Sequence, residues 1–541
     1  MHMNKFLVLL GVLLAGCGGN NVNRTGEIGT TTPTDIQASY LYSTSVYGTD
    51  NNGPFANVAV LLPMSGDAKD TGYDIKTSVE TAFLRRPKQN IKVSFFDLSG
   101  DKTHRRDVIN EALGTNPNVI IGPLFAEDTA MLNDMKSDKI PAISFTSDVT
   151  VLGDNVVTTN LIPTQSIETI VRQMQKDGAT SMIVLAPSDN SGKQMAAVAD
   201  RVSSAYDMPI RGLFYYLPGN SYSIKDVSMR ASMYNARNAA NTRAREVLSD
   251  ILAKESLSQQ DKQSLRNQLE KISRTETLGD LPYDAILFLG NGEDSKTLAS
   301  FLRYYGVSNR DAAFYGTTLW HGSSDITSDF TMSGAKYATL PEISDNFISL
   351  YNMMGGKDPD YLSAFGYDAA NLALGMLFSL QNNSAYLYDP SGYIGTTGAF
   401  RLQPSGESER ALRIMELNGS GSAVTIDEAP TNFLTPLYNV RVTKMREVDE
   451  HELYTRGVNP GDYINIPNEL RHKSAYRTNT IGANYAGEIE KEKKPYPHVQ
   501  IVESDTKEIV SNPEFETAKP ETVSRSYIEV VEIEETEETE D

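Results

Sequence analysis

The chain has 541 residues, is 40% hydrophobic, and is long enough for two or three domains with real cores. Its net charge of −21 argues against nucleic acid as a partner. Cys17 is the only cysteine, which excludes an internal disulfide. The six histidines form no metal-type pair, and there is no P-loop and no G-x-S-x-G elbow, so no metal, no cofactor and no enzyme activity are expected.

The N-terminus opens with Lys5 and an apolar run from Phe6 to Leu14 interrupted only by Gly11. That run falls short of the roughly twenty residues needed to cross a hydrocarbon core, and it reads as a secretion signal. Leu14-Ala15-Gly16-Cys17 resembles the bacterial lipoprotein lipobox, which implies diacylglycerol on the Cys17 thiol. Gly18 follows where an aspartate would retain a Gram-negative lipoprotein in the inner membrane, so the resemblance implies the periplasmic face of the outer membrane. Residues 18–54, rich in Asn, Thr, Gly and Ser, read as a flexible tether.

From Ala56 onward, short apolar runs alternate with helical periods. Val58–Leu62 reads as a buried strand ended by Pro63 and Gly66, and Gly72–Arg85 as a helix with Ile75, Val79, Ala82 and Phe83 on one face. Strands at 91–96, 119–121 and 141–145 follow with helices between them, which implies a parallel sheet covered on both faces. The rhythm restarts after a link near 159–164, with strands at 181–186 and 210–216, so two lobes with a cleft between them are expected. Residues 228–275 break the pattern and read as a helical hairpin inserted in the second lobe, either a surface elaboration or a docking site for a partner. Strands at 285–289, 313–315 and 335–339, a long apolar helix at 361–380 and a hairpin at 393–402 complete the module. Beyond about Pro436 the pattern fades into a largely disordered acidic tail over 436–541.

These readings divide the chain into a signal peptide at 1–17, a tether at 18–54, a module at 55–435 and a tail at 436–541. Within the module, lobe 1 is placed at about 55–160 plus 313–400 and lobe 2 at about 165–310, with the insert at 228–275.

Leu61-Leu62-Pro63-Met64-Ser65-Gly66, Ile121-Gly122-Pro123-Leu124, Gly316 with Thr317, Thr318 and Trp320, Phe365-Gly366-Tyr367-Asp368-Ala369 and Gly395-Thr396-Thr397-Gly398 stand in an order that resembles the type I periplasmic binding protein superfamily. Within it the sequence resembles the lipoprotein activators of penicillin-binding proteins, and the resemblance covers roughly 56–418. It implies an α/β, two-lobed fold that binds and activates a peptidoglycan synthase without catalysis of its own. The alternative is a solute receptor that delivers an amino acid or other small polar ligand to a transporter.

Ligands of open parallel sheets lie at the carboxyl ends of the strands. The cleft candidates there are Ser65, Gly66, Phe125, Ala126, Thr146 and Ser147 in the first lobe and Asn190, Ser191 and Asn291 in the second, with Trp320 as a further cleft candidate whose alternative is core packing. Phe125-Ala126-Glu127 stands where amino-acid receptors of the superfamily place a Ser or Thr, and Ser191-Gly192 where they place an aromatic residue and glycine. The usual amino-acid clamp is therefore absent, and a different small molecule or an empty cleft is expected.

Overall fold

The computed structural model describes residues 40–47, 55–85, 90–254, 256–378, 384–433, 437 and 447–483. Six strands, β1 (Leu41–Tyr47), β2 (Ala56–Leu62), β3 (Ile91–Asp97), β4 (Val119–Ile121), β5 (Ala142–Ser144) and β6 (Val156–Thr158), form one sheet in the order β1-β3-β2-β4-β5-β6. All neighbours are parallel except β1, which runs antiparallel along β3. Val58–Leu62 are all buried because both faces of the sheet are covered. Val60 and Phe95 pack in one cluster with Ile75 and Phe83 of helix α1 (Lys69–Leu84). Leu61 and Phe96 pack in another with Val108 and Ile109 of α2 (Lys102–Gly114) and Leu132 of α3 (Ala126–Met135).

After α4 (Pro163–Lys176), a second sheet is built from β7 (Met182–Pro187), β8 (Ile210–Tyr216), β9 (Ala285–Phe288), β10 (Ala313–Gly316) and β11 (Lys336–Thr339). Its order is β16-β15-β11-β10-β9-β7-β8, with β15 (Arg413–Leu417) and β16 (Ala423–Asp427) antiparallel at one end. Helices α4 and α5 (Asn190–Ala205) cover one face through Val171 and Val198. Helices α6 (Ser221–Ala231) and α9 (Gly292–Tyr304) cover the other through Val227 and Leu298. The inserted hairpin lies between them in sequence, as α7 (Tyr234–Lys254) and α8 (Gln259–Ser273). A short α10 (Ser324–Thr327) follows β10. Then α11 (Asp345–Met353) and α12 (Tyr361–Phe378) return to the first lobe, where a Cβ on Gly366 of α12 would lie 3.0 Å from Ile75 of α1. A small antiparallel sheet of β12 (Tyr393–Gly395), β13 (Gly398–Leu402) and β14 (Ser408–Arg410) precedes β15.

Three expectations are corrected. Residues 313–316 and 336–339 belong to the second lobe, because β10 pairs in register with β9, Phe314 opposite Ile286. Composition cannot tell two short apolar strands which sheet they join; pairing decides it. Leu41–Tyr47, expected in the tether, is an edge strand, since Tyr42, Thr44 and Val46 suit a strand that needs only backbone partners on one side. Residues 447–483, expected in the disordered tail, pack on the second lobe. Leu213 and His451 exchange backbone hydrogen bonds of 3.0 and 3.1 Å, and Ile464, Ile466, Leu470 and Tyr476 close the apolar seam formed by Leu248, Ile251, Leu265 and Ile272 of the hairpin. A sparse apolar set is enough when a ready groove receives it. Residues 1–17 with Cys17, most of the tether and the acidic stretch from 484 lie outside the described residues.

The chain leaves the first sheet for the second lobe at 159–162, leaves the second sheet for α11 at 340–344, and runs from the small sheet into the second sheet at 411–412. Arg410, which leads into the last of these passages, is bonded to the first. Its guanidinium donates to Thr159 O at 2.8 and 2.5 Å and to Thr397 Oγ1 at 3.0 Å, and lies 3.6 Å from Asp368 Oδ2. It sits 4.0 Å from the ring centre of Phe365 and 4.7 Å from that of Phe400.

Candidate functional site

In each parallel sheet the carboxyl ends of adjacent strands share one edge, and the loops leaving that edge carry the candidates. In the first lobe Gly122 turns the chain after β4 with φ +97°, and a Cβ there would lie 2.2 Å from Leu61 O, so only glycine fits. Phe125 follows, 46% exposed, with Ala126 opening α3. Ser65 and Gly66 after β2 are exposed; Ser65 is held from both sides by Ser99, whose Oγ accepts from Ser65 N and donates to Ser65 O at 2.9 Å. Asp97 organises this corner by accepting from Met64 N and Ser99 N; burial raises its pKa, but the Ser99 side chain, Met64 N, the Ser65 side chain and Ser99 N together hold the carboxyl below the usual range. Thr146 is buried with its Oγ1 accepting from Asp148 N, while Ser147 is exposed.

The first turn of α3 carries the strongest electrostatics of the edge. Glu127 is exposed and lies 2.8 Å from Arg105 and 3.6 Å from Lys102, and Arg105 lowers its pKa. It is spoken for by α2 rather than left to repel a ligand carboxylate. Asp128 is buried with its Oδ1 3.1 Å from Arg105 Nε. Burial pushes Asp128 up to about 6, Arg105 pulling in the opposite direction.

In the second lobe Asp189 caps α5 by accepting from Gly192 N at 2.8 Å, which leaves Asn190 and Ser191 exposed. Asn291 caps α9 in the same way, its Oδ1 accepting from Asp294 N, so that oxygen already has a partner. Trp320 is removed from the cleft set. It is 0% exposed, donates from Nε1 to Ser295 Oγ at 3.0 Å, and packs against Phe288 and Tyr337. Gly316 admits the indole: a Cβ there would be 2.3 Å from the ring. The large aromatic had to fill the core beside the sheet, and the next residue, His321, reaches the first lobe instead. Its Nε2 lies 3.2 Å from Tyr361 Oη at the start of α12, and burial lowers its pKa.

Ser65, Gly66, Phe125, Ala126, Thr146 and Ser147 thus share one edge of the first sheet, and Asn190, Ser191 and Asn291 one edge of the second. Among the described residues no hydrogen bond or ion pair joins one set to the other; the contact that does cross at this level, His321 to Tyr361, had no signal in the spacing. Two cavities of about 410 and 480 Å³ lie elsewhere, one between Met229–Ala236 and residues 452–455 and 481–482, the other at the opposite edge of the second sheet around Asp177 and Lys336. Among the described residues no group of three or more His, Cys, Asp or Glu is placed to hold a metal ion, and no helix is long and apolar enough to cross a membrane.

No family model matches the chain. A solved structure of a branched-chain amino acid ABC transporter candidate from Rhodospirillum rubrum superposes with a TM-score of 0.51 at 16% identity, covering 69% of this chain and 100% of that one. The fold is that of the type I periplasmic binding proteins. By sequence, the chain is similar to penicillin-binding protein activator LpoA of Pasteurella multocida (strain Pm70), 27% identical over 200 residues, which are 35% of this chain and 34% of that protein. It is also 27% identical over 168 residues to the protein of the same name from Haemophilus ducreyi (strain 35000HP / ATCC 700724), 30% of this chain and 26% of that one. The chain thus matches about a third or less of the length of these curated relatives.

Proposed function

We propose that this protein is a lipid-anchored activator of a penicillin-binding protein, a peptidoglycan synthase, and acts by contact rather than by catalysis. The observation that carries the reading is the 200-residue similarity to proteins named as such activators, on a fold that suits binding. The anchor in this reading is the Cys17 thiol, on the periplasmic face of the outer membrane. The 22 residues from Gly18 to Ser39 separate it from the first described strand. At about 3.4 Å per extended residue they span up to about 75 Å, enough for a module held at one membrane to meet an enzyme held at another.

The cleft geometry supports contact over solute capture. The backbone of Ser65 and the side-chain oxygen of Asn291, which would meet a small polar ligand, are engaged by Ser99 and by the α9 cap. The test uses the lipid-free chain Gly18–Asp541 with purified bifunctional penicillin-binding proteins of the same organism. Binding with a raised rate of glycan polymerisation or crosslinking is the expected result. No binding and no rate change with any of them removes the reading, and thermal stabilisation by a free amino acid would put the solute receptor in its place.

A further inference from the structure

The helical hairpin inverts the charge of its surroundings. In a chain of net charge −21, residues Tyr234 to Arg274 hold eight basic residues against five acidic, and of the eight only Arg237 is buried, donating to the carbonyls of Ser232, Gly279 and Gly306. The apolar seam of the hairpin is closed by Ile464, Ile466, Leu470 and Tyr476, so its outward surface is polar. Arg245 of α7 and Arg266 and Lys271 of α8 are exposed on that surface, and among the described residues none of them meets a carboxylate. Arg243, Lys254 and Arg274 beside them have their carboxylate partners within their own helices.

The described chain ends against this same hairpin. Gly482 abuts Ala236 of α7 so closely that a Cβ at 482 would lie 2.4 Å from the Ala236 Cβ. Beyond it, residues 503–541 hold 14 acidic residues and 3 basic ones. The 19 residues between Ala483 and Glu503 span up to about 60 Å when extended, whereas the 15-residue α8 is about 22 Å long. The acidic segment therefore starts within reach of every cation on the hairpin.

We propose that residues 503–541 dock on the outward cationic surface of α7 and α8 of the same chain. Exposed ion pairs are individually weak and are screened by salt. Tethering supplies the rest, because a segment attached at Ala483 meets the hairpin at an effective concentration on the order of millimolar. The docking covers the hairpin at low ionic strength and uncovers it as salt rises. It does not depend on the synthase reading.

The experiment couples lysine ammonium groups to carboxylates with a zero-length carbodiimide in the lipid-free chain Gly18–Asp541, at about 20 mM and about 500 mM salt, and maps the linked peptides. Lys254, Lys262 and Lys271 are expected to couple to residues 503–541 at least about fivefold more often than the exposed first-lobe lysines Lys69 and Lys139, with the excess lost at high salt. Equal coupling across both lobes overturns the proposal. So does coupling found only between differently isotope-labelled copies, which would make a second chain the donor. The charge-reversed variant Arg245→Glu/Arg266→Glu/Lys271→Glu should melt as the parent does and lose the excess at Lys254 and Lys262; keeping it overturns the assignment of the surface.

Discussion

Replacing Arg410 by methionine removes a buried cation from the crossing between the lobes without removing the length of the side chain. Two hydrogen bonds to Thr159 O, one to Thr397 Oγ1 and the approach to Asp368 disappear, and Asp368 keeps the bond that its Oδ1 accepts from Thr396 N at 2.8 Å. Removing one partner of a buried ion pair costs about 3–5 kcal/mol. Charge-assisted hydrogen bonds at about 1.5–3 kcal/mol each, two of them lost to the same carbonyl, point to the same range. With a urea slope of about 2.5 kcal/mol/M, a loss of about 4 kcal/mol moves the midpoint down by about 1.6 M. The loss is pH-dependent in a known direction. Burial already raises the Asp368 pKa, and without Arg410 it rises further, so the carboxyl is accommodated in its neutral form and the deficit shrinks as pH falls from 8 to 5. Burial lowers Arg410 to about 10, still above this window, so the parent retains its cation throughout. The assay is urea unfolding followed by circular dichroism and by fluorescence of Trp320, the only tryptophan, which is buried in the second lobe. Arg410→Met/Asp368→Asn should recover part of the deficit, because it leaves no buried charge behind. A midpoint shift under about 0.4 M, or a double variant as unstable as the sum of the singles, would refute the account of this pair as a coupled lock.

Asp128→Asn tests the acid beneath α3. Its folded pKa of about 6 lies above the unfolded value of about 3.9, so the parent gains stability as pH falls through 6 towards 4, and the variant should be more stable at pH 8 by about 2–3 kcal/mol and converge with the parent near pH 4; parallel stability curves for the two proteins would contradict this. Gly192→Ala places a Cβ 2.0 Å from Pro187 O and should cost about 1–3 kcal/mol in urea unfolding, with a shift under about 0.5 kcal/mol showing that the turn after β7 yields more easily than its packing implies. Cys17→Ala should abolish incorporation of labelled palmitate and release the protein from the membrane fraction; persistent labelling would place the anchor elsewhere.

Much of the architecture was legible because it is written in local patterns. The unbroken apolar run at Val58–Leu62 announces a strand buried on both faces, and the spacing of Ile75, Val79, Ala82 and Phe83 announces the helix that packs on it. Glycines such as Gly122 and Gly192 mark strand-to-helix turns where backbone oxygens leave no space for a side chain. Ser65, Phe125, Asn190 and Asn291 were identifiable from their position directly after predicted strands. Trp320 admits both a cleft and a packing reading, because a residue after a strand can turn into the core or out to the edge, and here the gap above Gly316 draws it in.

Local order also explains what was not legible. Asp368 lies inside the Phe365-Gly366-Tyr367-Asp368-Ala369 motif, yet its partner Arg410 is 42 residues away, and nothing near either residue signals the other. His321 and Tyr361 meet only because α12 starts where the loop after β10 ends. The sequence by itself determined the strand-helix alternation, the positions of the turns and the break at the hairpin, since each depends on contacts within a few residues. Tertiary structure alone decided that β10 and β11 extend the second sheet, that Leu41–Tyr47 becomes an edge strand and that residues 447–483 close the hairpin. In those three cases the segment is too short or too polar to declare its own partner, and the free energy comes from a groove or sheet edge assembled by residues far away in the chain.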